Sequence, residues 1–176
     1  VAGSAAKAKK YVEDLSKSQD VYLALRDPDN SYWSNSPSEV RNAVHAFRRF
    51  QLEANIPLLL AAFATWTKRD ASKLLVKVAA WSIRAQFDGR LGGGVADELF
   101  GSTARAIFSK EAKNQTSVRA LLARLIPSDV EFTDAFINYG DISTSRAKYL
   151  LAMLEIAAAN RAQRDVTPIE WFSMKV

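Results

Sequence analysis

The most apolar stretch of the sequence decides the fold: residues 55–63 read Asn-Ile-Pro-Leu-Leu-Leu-Ala-Ala-Phe. A proline near the start suits the first turn of a helix, and the segment is apolar nearly all round. A helix of that kind is normally buried at the centre of a helical domain. We therefore expect this stretch to form the central helix, around which the other helices pack.

Helices are predicted on both sides of this stretch, because apolar residues recur at helical spacing and turn signals separate the segments. Evidence for strands is thin, since no segment alternates cleanly between apolar and polar residues. The sequence therefore predicts a compact all-α domain of about eight or nine helices. Their predicted bounds are 5–16, 20–26, 37–53, 57–63, 71–87, 95–109, 117–125, 128–138 and 144–161.

Capping residues predict where three of these helices begin. Ser36 is placed to cap the helix at 37–53, with Glu39 reaching back to it. Asp70 is expected to cap the helix that follows the central one. Ser128 and Glu131 have the spacing of a capping box at the start of the helix at 128–138.

The predicted core surrounds the helix at 57–63 and lies in a single helical domain over residues 1–165. Residues 166–176 are expected to form a separate C-terminal segment. The side chains expected to pack around the central helix are Trp81, Leu99, Ile107, Leu122, Phe132, Leu151 and Leu154.

The residue composition removes most common enzyme chemistries. The 176 residues include no cysteine, which excludes disulfides, Cys-ligated zinc, Fe–S clusters and a Cys nucleophile. The one histidine, His45, is predicted to be a surface or half-buried helical residue. The Gly-rich stretch at 91–95 lacks the Lys-Ser/Thr of a phosphate-binding loop and is interpreted as an interhelical hinge. No catalytic residue, metal ligand or cofactor is predicted.

Basic residues outnumber acidic ones by 24 to 19, for a formal net charge of +5. Lys73, Lys77 and Arg84 fall along one side of the helix at 71–87, and Arg90 follows it. We predict that these four residues contact nucleic acid through its phosphates, although a solvated helix face explains any single one of them better. Further basic residues recur at helical spacing at Arg41, Arg48, Arg49, Arg146, Lys148, Arg161 and Arg164.

No apolar run approaches the roughly 20 residues of a membrane span, and the first residues lack the apolar region of a signal peptide. We therefore expect a cytoplasmic protein that does not interact with membranes. The start, Val-Ala-Gly-Ser, has no methionine, which indicates a piece of a longer protein.

Five segments occur in an order that resembles a known family. They are residues 56–62, 82–84, 123–132, 145–155 and 166–171, with Ile-Pro-Ser-Asp-Val-Glu-Phe and Tyr-Leu-Leu-Ala-Met-Leu-Glu within the third and fourth. Together they resemble the helical region of GmrSD-like restriction proteins. In that family a ParB-like nucleotide-hydrolysing domain precedes the helices, and an HNH nuclease domain follows them. Its members include modification-dependent restriction enzymes and phage-defence effectors that sense modified DNA.

The resemblance extends to the start of the nuclease domain, which opens with Thr-Ile-Glu-His in that family. Thr167, Ile169 and Glu170 match this opening with Pro168 inserted, but Trp171 stands at the histidine position. An indole neither binds a metal ion nor accepts a proton as imidazole does. Residues 166–176 are therefore interpreted as the truncated start of an HNH domain, without activity. Alternatively, they form a capping box that begins a short terminal helix.

The resemblance implies a noncatalytic helical domain of a modification-dependent DNA restriction or anti-phage defence protein. It would couple an NTPase sensor to an HNH nuclease within the parent protein and contact double-stranded DNA. The alternative is a helical scaffold for protein–protein interaction or oligomerisation that does not bind nucleic acid. A third reading, an independent small enzyme, requires a pocket lined by carboxylates.

Overall fold

The structure, a computed structural model, describes residues 18–92 and 94–164. These residues form eight α-helices and no strand, which confirms the predicted all-α fold. Short 3-10 helices lie in three connections, at Ser31–Trp33, Glu53–Asn55 and Ala123–Leu125. The α-helices are α1 (18–26), α2 (Ser38–Phe50), α3 (Ile56–Thr65), α4 (Lys68–Phe87), α5 (Val95–Phe108), α6 (Gln115–Leu121), α7 (Asp129–Ile137) and α8 (Thr144–Arg161).

Among the described residues, one compact unit ends at Ile137 and a second begins at Asn138. Helices α1 to α7 belong to the first unit and α8 to the second. The helix predicted at 5–16, the boundary predicted between 165 and 166, and the segment 166–176 lie outside the described residues. One domain over residues 1–165 therefore stays a prediction.

The central helix of the first unit is α3, as its sequence predicts. Its side chains Leu58 and Leu59 are fully buried, and Ala61 and Ala62 are buried with them. The helix packs most extensively against α5 and also contacts α4, which in turn packs against α2. Since α3 touches neighbours on more than one side, its apolar character all round has a structural cause.

The longest helix, α4, is buried along one side and exposed along the other. Leu74, Leu75 and Val78 are fully buried, whereas Lys73 and Lys77 between them are exposed. The helix begins three residues before the position predicted for it. Its cap is Thr67, whose hydroxyl oxygen accepts a hydrogen bond from the Asp70 backbone N–H at 3.1 Å. The prediction that Asp70 is the cap is therefore wrong.

The other two predicted starts have opposite outcomes. The predicted Ser36 cap is wrong: α2 begins at Ser38 and its N-cap position is Pro37, with no side-chain capping hydrogen bond. The Ser36 backbone N–H belongs to the preceding turn and donates to Trp33 O. The capping box before α7 is confirmed. The Ser128 hydroxyl accepts from the Glu131 backbone N–H at 3.3 Å, and the Glu131 carboxylate accepts from the Ser128 backbone N–H at 2.7 Å.

A fully buried tryptophan joins the connection after α1 to the body of the first unit. The Trp33 indole N–H donates to the backbone oxygen of Ala24 at 2.7 Å. Its ring meets those of Tyr32 and Phe63 edge-on, with centroids 4.8 and 5.9 Å away. Edge-to-face contacts of this kind add to the burial of the rings, so Trp33 holds the end of α1 against α3.

The predicted core is correct in part. Ile107 and Leu122 are buried. Trp81, Leu99 and Phe132 are only half-buried. The prediction is wrong for two residues of α8 in the second unit: Leu151 and Leu154 are 59% and 63% exposed.

The physical reason lies in the composition of α8, which has apolar residues on all its sides. Helical spacing alone therefore does not select which side is buried. In the structure, the buried residues of α8 are Tyr149, Ala152 and Ala159.

Candidate nucleic-acid interface

The exposed side of α4 carries a row of basic residues. Arg69, Lys73 and Lys77 are exposed, and Arg84 follows them seven residues later. At 3.6 residues per turn these four side chains lie within an arc of about 80° around the helix, and they extend over about 22 Å of its length. We call these four residues the α4 stripe.

The α4 stripe contains Arg69, which the sequence interpretation missed. With Asp70 as the cap, the sequence prediction puts Arg69 before the helix and not on it. The missed signal is Thr67 followed three residues later by Asp70, which has the spacing of a capping box.

α4 itself contributes little negative charge to the α4 stripe. Asp70 is the one acidic residue of α4, and its carboxylate accepts a hydrogen bond from the Thr67 hydroxyl at 2.8 Å. Among the described residues, no ion pair involves Arg69, Lys73 or Lys77. Three neighbouring cations are therefore available to an anionic partner.

The guanidinium of Arg84 is held by residues at the start of α7. Its Nη2 donates to the Asp129 carboxylate at 2.6 Å and to the Pro127 backbone oxygen at 3.2 Å. Its central carbon lies 4.7 Å from the centre of the Phe132 ring, a cation–π distance. Arg84 therefore belongs to the α4 stripe by position but has a partner inside the chain.

Arg90 lies away from the α4 stripe and joins the connection after α4 to α7. It pairs with Asp88, and its Nη2 donates to the Glu131 carboxylate at 2.6 Å. The hydrogen bond with Glu131 raises the pKa of Arg90. Hydrogen bonds from the Ser128 backbone and hydroxyl, followed by that from Arg90, lower the pKa of Glu131 to about 2. Both groups are thus charged at neutral pH, as a structural ion pair requires.

The four predicted site residues therefore form two pairs in the structure. Lys73 and Lys77 are exposed on the α4 stripe, whereas Arg84 and Arg90 are each bonded to a carboxylate of α7. Contact of any of them with nucleic acid stays a prediction. The two ion pairs could not be seen in the sequence, because 45 and 41 positions separate their partners.

His45 lies half-buried on α2. Its Nδ1 is 3.0 Å from Arg49 Nη1, and an arginine can only donate, so Nδ1 accepts and the imidazole is neutral. Burial, with a further contribution from the Arg49 charge, lowers the pKa of His45 to about 4. The predicted half-buried helical histidine is confirmed.

The described residues contain no group of three or more His, Cys, Asp or Glu side chains that could hold a metal ion. A cleft of about 640 Å³ beside α6 and the start of α7 contains one carboxylate, that of Glu131, which Arg90 and Ser128 already engage. This cleft lacks the second carboxylate that acid–base chemistry at an all-carboxylate site requires.

In the part of the chain that the structure describes, no helix is long and apolar enough to cross a membrane. Comparison with protein-family models, curated proteins and solved structures finds no match for this chain.

Proposed function

We propose that this chain is a noncatalytic, DNA-contacting helical domain of a modification-dependent restriction or anti-phage defence protein. The observation that carries the DNA contact is the α4 stripe, where Arg69, Lys73 and Lys77 are exposed without ion-pair partners among the described residues. The wider role, coupling an NTPase sensor to an HNH nuclease in the parent protein, rests on the family resemblance. A cytoplasmic location is part of the same proposal.

The geometry of the α4 stripe suits a phosphate backbone. The four residues extend over about 22 Å, the length occupied by about six phosphates of one DNA strand at 3.4 Å each. Lysine and arginine side chains reach several ångströms beyond the helix and neutralise phosphates without reading base sequence. The proposed contact is therefore electrostatic and independent of sequence.

The test is binding of the 176-residue chain to short duplex DNA at salt concentrations from about 50 to 200 mM. Binding is expected to weaken steeply as salt increases. Exchanging both lysines for glutamine, Lys73→Gln with Lys77→Gln, is expected to make the slope of log K against log salt shallower by about two.

The matched control removes the same charge elsewhere. Lys110 and Lys113 are exposed in the connection between α5 and α6, so Lys110→Gln with Lys113→Gln lowers the net charge equally. The control is expected to keep the wild-type slope. Absence of binding even at low salt, or equal effects of the two double variants, would contradict a DNA contact through α4.

The interaction scaffold remains a second candidate because of one feature of α7. Val130 and Ile137 are 72% and 73% exposed, and their separation of seven residues puts them on the same side of the helix. Exposed apolar patches often mark protein interfaces. If this patch mediates oligomerisation, sedimentation velocity will show self-association that increases with concentration and disappears with Val130→Gln plus Ile137→Gln. A monomer at every concentration would remove oligomerisation through this patch.

A further inference from the structure

We propose that the Arg84–Asp129 ion pair is a latch that phosphate opens: DNA bound along α4 replaces Asp129 as the partner of Arg84 and loosens the start of α7. The proposal rests on the proposed DNA contact and adds its consequence for the rest of the first unit. It concerns helices α4 and α7, which both lie within that unit.

The first observation is that Arg84 belongs to two sets of contacts at once. It continues the α4 stripe seven residues after Lys77, and it also bonds Asp129 at 2.6 Å. The side chain of Asp129 is 94% exposed, whereas that of Arg84 is 27% exposed. The ion pair therefore lies at the surface, where an incoming phosphate can reach it.

The second observation is the weak attachment of α7. None of its nine residues is buried. Phe132 and Phe136 contact the ring of Phe87 at the end of α4, with centroids 6.1 and 5.1 Å away. The remaining attachments include the two ion pairs, so α7 depends on polar contacts at its first turn more than a buried helix does.

The chemistry of the exchange is a competition between anions for one guanidinium. A phosphate and a carboxylate both match its planar set of donors, so either group can occupy the same place. Exposed ion pairs contribute little to stability because water and salt screen them. A polyanion already held by Lys73 and Lys77 is present at high local concentration and therefore competes well.

The second ion pair limits how far α7 is released. Glu131 is held by the Ser128 backbone as well as by Arg90, and Arg90 also pairs with Asp88. Arg90 lies outside the α4 stripe, so DNA on α4 does not compete for it. The expected response is a loosening at Asp129 while the contact at Glu131 stays closed.

The first test is DNA binding by Asp129→Asn, with Glu111→Gln as the matched control. Both substitutions remove one exposed carboxylate, but Glu111 lies in the connection between α5 and α6. Asp129→Asn is expected to bind about two- to fivefold more tightly at low salt, with a salt slope steeper by about one. Glu111→Gln is expected to change affinity less and to keep the slope.

A double variant shows whether this gain passes through Arg84. In the Arg84→Gln background the additional substitution Asp129→Asn is expected to have no effect on affinity beyond that of Glu111→Gln. A gain that persists without Arg84 would overturn the proposal, because it would come from charge alone.

The second test is hydrogen exchange of the α7 amides in the wild-type chain. Adding duplex DNA is expected to speed exchange of the Thr133 amide, whose helical hydrogen bond goes to the backbone oxygen of Asp129, whereas in Asp129→Asn this exchange is already faster and DNA changes it little. Unchanged or slower exchange in the wild type would refute the latch.

The two proposals fail differently. If the wild type does not bind DNA, both fall. If it binds through Lys73 and Lys77 but Asp129→Asn behaves like Glu111→Gln, the latch alone falls.

Discussion

Replacing Thr103 by valine is expected to stabilise the protein, although most core substitutions destabilise it. Thr103 lies in α5 and is 1% exposed, and its hydroxyl has no hydrogen-bond partner among the described residues. A hydroxyl that loses water on burial without gaining a partner costs about 1 to 3 kcal/mol. Valine has nearly the same shape and removes this cost without leaving a cavity.

The expected gain is about 1 kcal/mol or more in the free energy of unfolding. For a chain of this size that corresponds to a rise of about 2 to 4 °C in Tm per kcal/mol. Threonine and valine have similar helix propensities, so the substitution leaves the helix itself nearly unaffected. Urea unfolding followed by circular dichroism measures the free energy, and a thermal scan measures Tm.

The same substitution at Thr65 is the matched control. Thr65 is half-buried at the end of α3, and its hydroxyl donates to the backbone oxygen of Ala61 at 2.8 Å. Thr65→Val therefore loses a hydrogen bond and is expected to lower stability by up to about 1 kcal/mol. If Thr103→Val destabilises as much as Thr65→Val, the reasoning from the unpartnered hydroxyl is refuted.

Three further predictions concern named side chains. His45 is expected to titrate near pH 4 in the folded chain by NMR. The unfolded histidine binds its proton below about pH 6.5, so the free energy of unfolding is expected to rise with pH between about 4 and 6.5. His45→Gln is expected to flatten that rise. An unchanged profile in the variant would contradict the low pKa of His45. The Ser82 hydroxyl donates to the buried amide oxygen of Asn55 at 3.3 Å. Ser82→Ala removes this donor and is expected to lower the free energy of unfolding in urea by about 1 kcal/mol. An unchanged free energy would show that this contact contributes nothing. Glu131 has a pKa lowered to about 2, so the stability it contributes is present above about pH 4.5 and lost as pH falls towards 2. Glu131→Gln is expected to reduce that acid sensitivity in acid titrations of folding, and equal sensitivity would count against the ion pair.

The fold class could be predicted from local sequence because helical spacing and capping are local properties. The apolar segment at 55–63 and the capping box of Ser128 and Glu131 illustrate this, since each is visible within ten residues. Helix starts were harder to predict. Thr67 and Asp70 are both good capping residues, and the choice between them depends on which one accepts the backbone hydrogen bond.

The candidate site could be predicted only on its exposed side. Lys73 and Lys77 are neighbours on one helix, which spacing reveals. The partners of Arg84 and Arg90 lie on α7, and only tertiary packing brings them close. The exposure of Leu151 and Leu154 has a similar cause, because the apolar residues of α8 are spread around the helix and do not indicate which of its sides the fold will cover.

The neutral imidazole of His45 has a consequence for how this chain responds to acid. Histidine is the one side chain whose ordinary pKa lies between pH 5 and 8, and this chain has one histidine and no cysteine. With that histidine already deprotonated above about pH 4, mild acidification leaves the ionisation of its side chains nearly constant. Attraction to a polyanion through α4 would then respond to ionic strength and hardly at all to the drop in pH inside an acidifying cell or compartment.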